Sequence, residues 1–598
     1  MSLDTSRTDT GTSEETRDQS SGRHSSERLV RLAIELYSTR YEEFLERLTA
    51  LLDAWRRRLH RARGPARFTE RDVLLITYGD QFRPLHGPAL HGLEEFAERY
   101  LKDIVSWIHI LPFFPYTSDD GFAVADYRAV NPALGDWEPI ERMSRRFRMA
   151  FDLVLNHSSV SHRWFQGFLR QEDRYREFYH YRPADYDSSR VVRPRTHPLL
   201  TPFTMADGTV RYVWTTFSAD QADLNYENPE VMLEMIDTLL CYVEHGASMI
   251  RLDAVAYLWK EDGTSCIHLR RTHMGVKLFR AVVEYLGLGT VILTETNVPH
   301  EENISYFGNG SDEAHMVYNF ALPPLTLQAF IDGTAEHLRR WAATLPERSE
   351  HTTFLNFLAS HDGVGVTPAA GWLAREEFDR MVRTVQDRGG RVSCKSTPEG
   401  EIPYELNVSW FSAVADPSLP EELQIRAFLS SHAIMMALAG IPGIYVHSLI
   451  GSRNWDEGPD EQGHSRAINR EKPELERIAE ELSDRRSWRY RVFNGMRGMI
   501  GARRREPCFS PTASQQVISA ANEVFALVRR VPEGSSLNPG RTVLCLTNTA
   551  PKEVACRPAE VALQPQMGDV LTGRTVTRER NGTILLKPYE TLWLEISP

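Results

Sequence analysis

Residues 248–255 read Ser-Met-Ile-Arg-Leu-Asp-Ala-Val, an apolar run that carries Arg251 and Asp253. The run is too short for a buried helix and reads as a buried strand. Side chains alternate along a strand, so Arg251 and Asp253 face the same side. A guanidinium at that spacing holds a carboxylate in its ionised form. Seven more short apolar runs have the same character: residues 73–78, 107–114, 149–156, 291–296, 315–320, 353–360 and 441–449. Amphipathic helical stretches such as residues 92–104 and 229–245 lie between most of them. Eight buried strands alternating with helices predict a parallel α/β fold closed into a (β/α)8 TIM barrel.

Polar residues cluster at the ends of these runs. They are Asp80, Asp119-Asp120, Asn156-His157, Asp253, Glu295 and His361-Asp362. In such a barrel the strand C-termini converge on one face, so these side chains are expected to meet. Retaining glycoside cleavage needs two carboxyl groups about 5–5.5 Å apart, one ionised and one protonated. Asp253, beside Arg251, suits the nucleophile. Glu295 follows the apolar Val291-Ile292-Leu293, where partial burial would raise its pKa as a general acid requires. Asp362 and His361 would stabilise an oxocarbenium-like charge and hold sugar hydroxyls.

Four segments carry this chemistry: residues 152–157 (DLVLNH), 251–255 (RLDAV), 294–297 (TETN) and 359–362 (ASHD). Together they closely resemble the signature regions of the α-amylase superfamily, glycoside hydrolase family 13. The resemblance runs from residue 73 over nearly all of the remaining chain. It implies a barrel with an inserted B domain, a C-terminal β domain and double displacement with retention.

Further stretches resemble the sucrose phosphorylase branch: FPYTSDDGF (114–122), RPR (193–195), WTTFSADQAD (214–223), WKEDGTSC (259–266), YNFALPP (318–324), YELN (404–407) and INR (468–470). That likeness implies that Asp119, His157, His361 and Arg470 line a glucosyl pocket. It implies apolar walls at Phe122 and Phe217, a polar contact at Gln221 and an incoming phosphate at Arg195. A phosphorylase must intercept its glucosyl ester with phosphate before water does, which calls for a cation in a poorly hydrated pocket. Arginine offers a two-pronged fork for phosphate oxygens.

The acceptor side departs from sucrose phosphorylases. Asn297 stands where they usually have His, and residues 401–405 (EIPYE) stand where they usually have Leu-Asp-Leu-Tyr-Gln. Both changes bear on fructose binding and make Asn297, Tyr404 and Glu405 acceptor-site candidates. With residues 193–203 (RPRTHPLLTPF), 294–300 (TETNVPH) and 451–454 (GSRN), the likeness is greatest to glucosylglycerate phosphorylases. That implies a sugar substrate, inorganic phosphate and glycerate as small-molecule partners. A glycerate carboxylate needs a cation or N–H donors, for which Arg193, Arg195, Lys260 and His300 are all candidates. Sucrose and sucrose 6-phosphate phosphorylases, a glucosidase or transglucosidase, and an inactive scaffold are the competing readings.

The chain has 598 residues, 41% apolar and 25% charged, with a net charge of −12. That balance argues against nucleic acid or an anionic membrane as a partner. The six scattered cysteines fit reduced thiols in the cytoplasm. No apolar run is long enough to span a membrane. No cofactor and no metal site are expected, and Asn156 reads as a structural hydrogen bonder. Whether the chain works alone or as a homodimer is open.

Residues 1–26 read as a disordered polar tail and 27–68 as a helical extension that ends near Gly64-Pro65. Residues 69–504 form the barrel, with a B-domain insertion at about 158–223 and an acceptor loop at about 363–420. Residues 505–598 form a small antiparallel β domain.

Overall fold

The eight runs become eight strands of one closed parallel barrel in the computed structural model, which describes residues 12–59, 67–347, 349–397, 400–535 and 538–597. The strands are β1 (Leu74–Thr77), β2 (Trp107–Ile110), β3 (Arg148–Val154), β4 (Ala247–Asp253), β5 (Val291–Thr294), β6 (Met316–Tyr318), β7 (Thr353–Phe357) and β8 (Ile441–Tyr445). Each pairs in parallel with its neighbours in chain order, and β8 closes onto β1. Strands sealed on both faces are apolar throughout, which is why the runs are continuous rather than alternating.

The runs overshoot the strands at their C-terminal ends. β5 stops at Thr294 and β7 at Phe357, short of 296 and 360. The excess residues are the first of each loop, so Glu295, His361 and Asp362 lie beyond the strands at the barrel mouth.

Two insertions wall that mouth. Between β3 and β4, strands Tyr181–Arg182, Leu200–Thr204 and Val210–Trp214 form an antiparallel sheet. A second pairing joins His157–Ser159 to Gln221–Asp223 and brings the two ends of this insertion together. After β7, Val364–Gly365, Arg391–Thr397 and Gly400–Asn407 form another antiparallel sheet. Near the C-terminus, Ser514–Val517, Val524–Arg530, Thr542–Asn548 and Thr591–Ile596 make a four-stranded antiparallel sheet with its own apolar cluster.

At the other end, α1 (Thr12–Tyr37) and α2 (Tyr41–Arg58) pack on the outside of the barrel, α1 along the helix Arg270–Tyr285. Phe44, Leu48, Leu52 and Trp55 recur at helical spacing and are buried. Trp55 also donates to Asp237 at 2.6 Å, and Arg58 forks onto Glu244 at 3.0 and 2.6 Å. Residues 1–11 of the expected tail lie outside the described residues. From Thr12 on, the backbone is helix, well ahead of the expected start at residue 27. The Gly64-Pro65 break falls outside the described residues.

Candidate active site

The site grows from the barrel interior. Pairing of β3 with β4 sets Asp152 opposite Arg251 and Val154 opposite Asp253. Asp152 is fully buried, as a charge can be only when paired and hydrogen-bonded. It accepts from Arg251 Nη1 at 2.5 Å and lies 2.7 Å from His109 Nε2. The same Arg251 Nη1 donates to Asp253 Oδ1 at 2.7 Å, and Nη2 lies 3.9 Å from Glu295 Oε2. One guanidinium therefore gathers both carboxyls, one from the end of β4 and one from the loop after β5.

Directly after Asp253 the backbone turns left-handed at Ala254, with φ 49°. For a residue with a Cβ this costs about 1–2 kcal/mol. The turn aims the Ala254 N–H at Glu295 Oε2, 3.0 Å away. Strain of this kind is tolerated where geometry serves a site.

Burial pushes the Asp253 carboxyl upward, Arg251 pulls it down, and the Glu295 charge raises it again. Burial also pushes Glu295 upward, Arg251 opposes it, and the Asp362 charge adds. Both shifts favour a proton on the pair, and the interaction with Arg251 decides which carboxyl keeps its charge. The direct 2.7 Å bond from Arg251 to Asp253, against 3.9 Å to Glu295, favours the charge on Asp253 and the proton on Glu295. Asp362 is held below the usual carboxylate range. Burial works against its charge, but Arg466 and then Arg470, Arg251 and Arg195 outweigh it. His157 and His361 are both pushed down by burial and stay neutral near pH 7.

Around these groups lies a narrow cleft that opens to solvent. Asp253, Glu295 and Asp362 all open onto it. Phe122 stacks on the His361 ring at 5.0 Å, nearly parallel. Gln221 Nε2 donates to Asp119 Oδ2 at 3.1 Å and lies 3.1 Å from His157 Nε2. Phe217 tilts against His157 at 5.3 Å and takes the Arg195 guanidinium over its face at 5.9 Å. Asn297 donates to the Tyr404 hydroxyl at 3.4 Å across the cleft. The Tyr404 hydroxyl is pushed up to about 12 by burial, against the pull of Arg195.

Two carboxyls gathered around one guanidinium, with a third carboxylate opening onto the same cleft, fit acid-assisted displacement at an anomeric carbon. The comparisons agree with that chemistry. Residues 89–386 match the family model described as alpha amylase, catalytic domain. A glucosylglycerate phosphorylase of Spirochaeta thermophila is 48% identical over 92% of this chain and 95% of its own length. The chain belongs to the α-amylase family, glycoside hydrolase family 13.

Within this family, a glucosylglycerate phosphorylase of Allomeiothermus silvanus is 45% identical over 88% of this chain and 91% of its own length. The crystal structure of sucrose 6F-phosphate phosphorylase from Thermoanaerobacter thermosaccharolyticum shares the fold. Its TM-score is 0.69 at 22% identity, over 86% of this chain and 98% of that one.

Most candidates of the α-amylase resemblance come together: Asp119, Phe122, His157, Arg195, Phe217, Gln221, Arg251, Asp253, Glu295, Asn297, His361, Asp362, Tyr404 and Glu405 line the cleft. Arg470 stands behind this wall. Its Nε donates to the His361 carbonyl at 2.7 Å, and its Nη1 pairs with Asp120.

Three acceptor-site candidates do not reach the cleft. Lys260 is buried and donates to Asn156 Oδ1 at 2.7 Å, with Asp223 Oδ2 at 2.6 Å. It clamps the end of the first insertion to β3, because a buried ammonium must spend its donors on local partners. Arg193 folds back onto the His197 carbonyl. His300 is buried and packs edge-on against Trp341 at 6.2 Å.

Arg466 escaped the sequence reading. It lines the cleft and pairs with Asp362 at 2.7 Å. No local pattern announced it, because its partners Asp362 and Glu405 come from two other segments of the chain.

Proposed function

We propose that this chain is a retaining glucoside phosphorylase that converts 2-O-α-D-glucosylglycerate and phosphate into α-D-glucose 1-phosphate and D-glycerate. Asp253 attacks the anomeric carbon while Glu295 protonates the departing glycerate oxygen, leaving a glucosyl ester on Asp253. Phosphate then attacks that ester, and Glu295 takes back the proton that phosphate loses. Asp362 meets the positive charge that develops on the ring in both steps. Asp119, His157, Arg251, His361 and Arg470 serve the glucosyl side, with Phe122, Phe217 and Gln221 closing it.

The observation that carries transfer to phosphate is Arg195. It lines the cleft and lies over Phe217, and among the described residues it makes no hydrogen bond and no direct ion pair. A cation with no direct ion pair beside an apolar wall favours an anion over water as the second nucleophile. The likeness to glucosylglycerate phosphorylases at 48% and 45% identity supports glycerate as the acceptor. The six unpaired cysteines agree with a cytoplasmic enzyme, and no described helix is long and apolar enough to cross a membrane.

An acceptor screen tests this reading. Glucose 1-phosphate is offered with glycerate, fructose, fructose 6-phosphate, glycerol or glucose, and phosphate release is read. Glycerate is expected to give the fastest release. Release with only fructose or its 6-phosphate ends the glycerate assignment. In Arg195→Met, losing one charge-assisted contact of about 1.5–3 kcal/mol predicts a phosphate KM about 10- to 100-fold higher, with more free glucose formed. An unchanged phosphate KM removes Arg195 from the phosphate site.

A further inference from the structure

We propose that Arg466 and Glu405 form a positioning unit that holds Asp362 in place and ties that hold to the strand Gly400–Asn407; this rests on the glucosyl-transfer reading above. Arg466 sits in the helical turn Ser465–Asn469, and Glu405 is buried on the strand that also carries Tyr404. Arg466 forks onto Glu405, with Nε to Oε1 at 2.9 Å and Nη2 to Oε2 at 2.7 Å. Its remaining nitrogen, Nη1, lies 2.7 Å from Asp362 Oδ1. Glu405 Oε1 also accepts from the Gly363 backbone N–H at 3.1 Å. Asp362 is thus braced from both sides through one buried carboxylate.

Gly363 shows how tightly the corner is pressed on the strand. A Cβ there would come within 2.6 Å of the Leu406 carbonyl oxygen and 2.7 Å of Glu405 Cγ. The guanidinium of Arg466 is spent on two carboxylates and has no fork left for phosphate, whereas Arg195 has. Arg466 therefore works through Asp362 and does not recognise substrate. Glu405 in turn is occupied by Arg466 and Gly363 and is not free to hold an acceptor hydroxyl.

The groups facing Asp362 are Arg466, Arg470, Arg251 and Arg195 on the cationic side, the neutral His361 ring at 3.6 Å, and Glu295. Arg466 does most to hold the Asp362 carboxyl down. Removing it raises that carboxyl, so the acidic limb of the pH–rate profile must move to higher pH. Any displacement of the strand would pull Arg466 off Asp362, which links the acceptor side to the glucosyl side.

The test uses α-glucosyl fluoride as donor and inorganic phosphate as acceptor, on the full chain. The burst of fluoride reads formation of the glucosyl ester, and steady-state glucose 1-phosphate reads its transfer. Because Asp362 serves both steps, Glu405→Gln is expected to slow both by about 10- to 100-fold, with the phosphate KM unchanged. Arg466→Met is expected to slow both as well and to shift the acidic limb upward. Arg466→Lys should restore the limb but not the full rate, since an ammonium restores charge without the fork.

The proposal is overturned if Glu405→Gln raises only an acceptor KM and leaves the burst intact, or if Arg466→Met leaves the acidic limb where it was. Thermal melts show which variants fold, and Arg466→Lys carries the test if the other two do not. A wild-type chain that releases no fluoride overturns the glucosyl-transfer reading itself, and this unit with it.

Discussion

Asp253→Asn is expected to lower kcat by more than about 10⁴-fold in both directions, because an amide cannot form the glucosyl ester. The fold should survive, since Asn keeps the shape of Asp and Arg251 retains its 2.5 Å bond to Asp152. A thermal melt within a few degrees of wild type checks that point. Retention of more than a few per cent of the rate in a folded variant refutes the nucleophile assignment. The effect should be uniform across donors, because every donor must pass through the same ester.

Glu295→Gln should behave differently, and the difference identifies its role. Glutamine cannot give a proton to the leaving oxygen, so cleavage of glucosylglycerate is expected to fall by about 10²- to 10⁴-fold. Fluoride leaves without protonation, so ester formation from α-glucosyl fluoride should be largely spared. In the wild type, burial and the nearby Asp362 charge push Glu295 upward. The acid form therefore persists to higher pH than for an exposed glutamate, and activity should fall only as pH rises through that raised value. Equal losses on both donors would assign Glu295 to positioning instead.

The barrel could be read from the sequence because its strands are buried on both faces. All eight apolar runs become barrel strands, in order. The carboxylates could be read because a strand end is both a place in the pattern and a direction in space. Arg251 and Asp253, two apart on β4, share one face and one hydrogen bond.

Basic side chains on loops carry no such direction. Lys260, Arg193 and His300 looked equivalent to Arg195 as charges, yet Lys260 turns inward to Asp223 and His300 packs on Trp341. Long side chains leave a loop in any direction, and burial with a local partner decides it. The left-handed turn at Ala254 was also invisible, because alanine is a poor advertisement for positive φ. Arg466 shows the reverse case. Its partners Asp362 and Glu405 come from two different segments, and only the closed barrel mouth brings them together.

Double displacement with phosphate as the second nucleophile fixes both the anomer formed and the need for phosphate. Its most direct test is a proton NMR time course of 2-O-α-glucosylglycerate with the enzyme, with and without phosphate. The first sugar product is expected to be α-D-glucose 1-phosphate, formed only when phosphate is present. A β-configured first product, or free glucose released equally fast without phosphate, would contradict it.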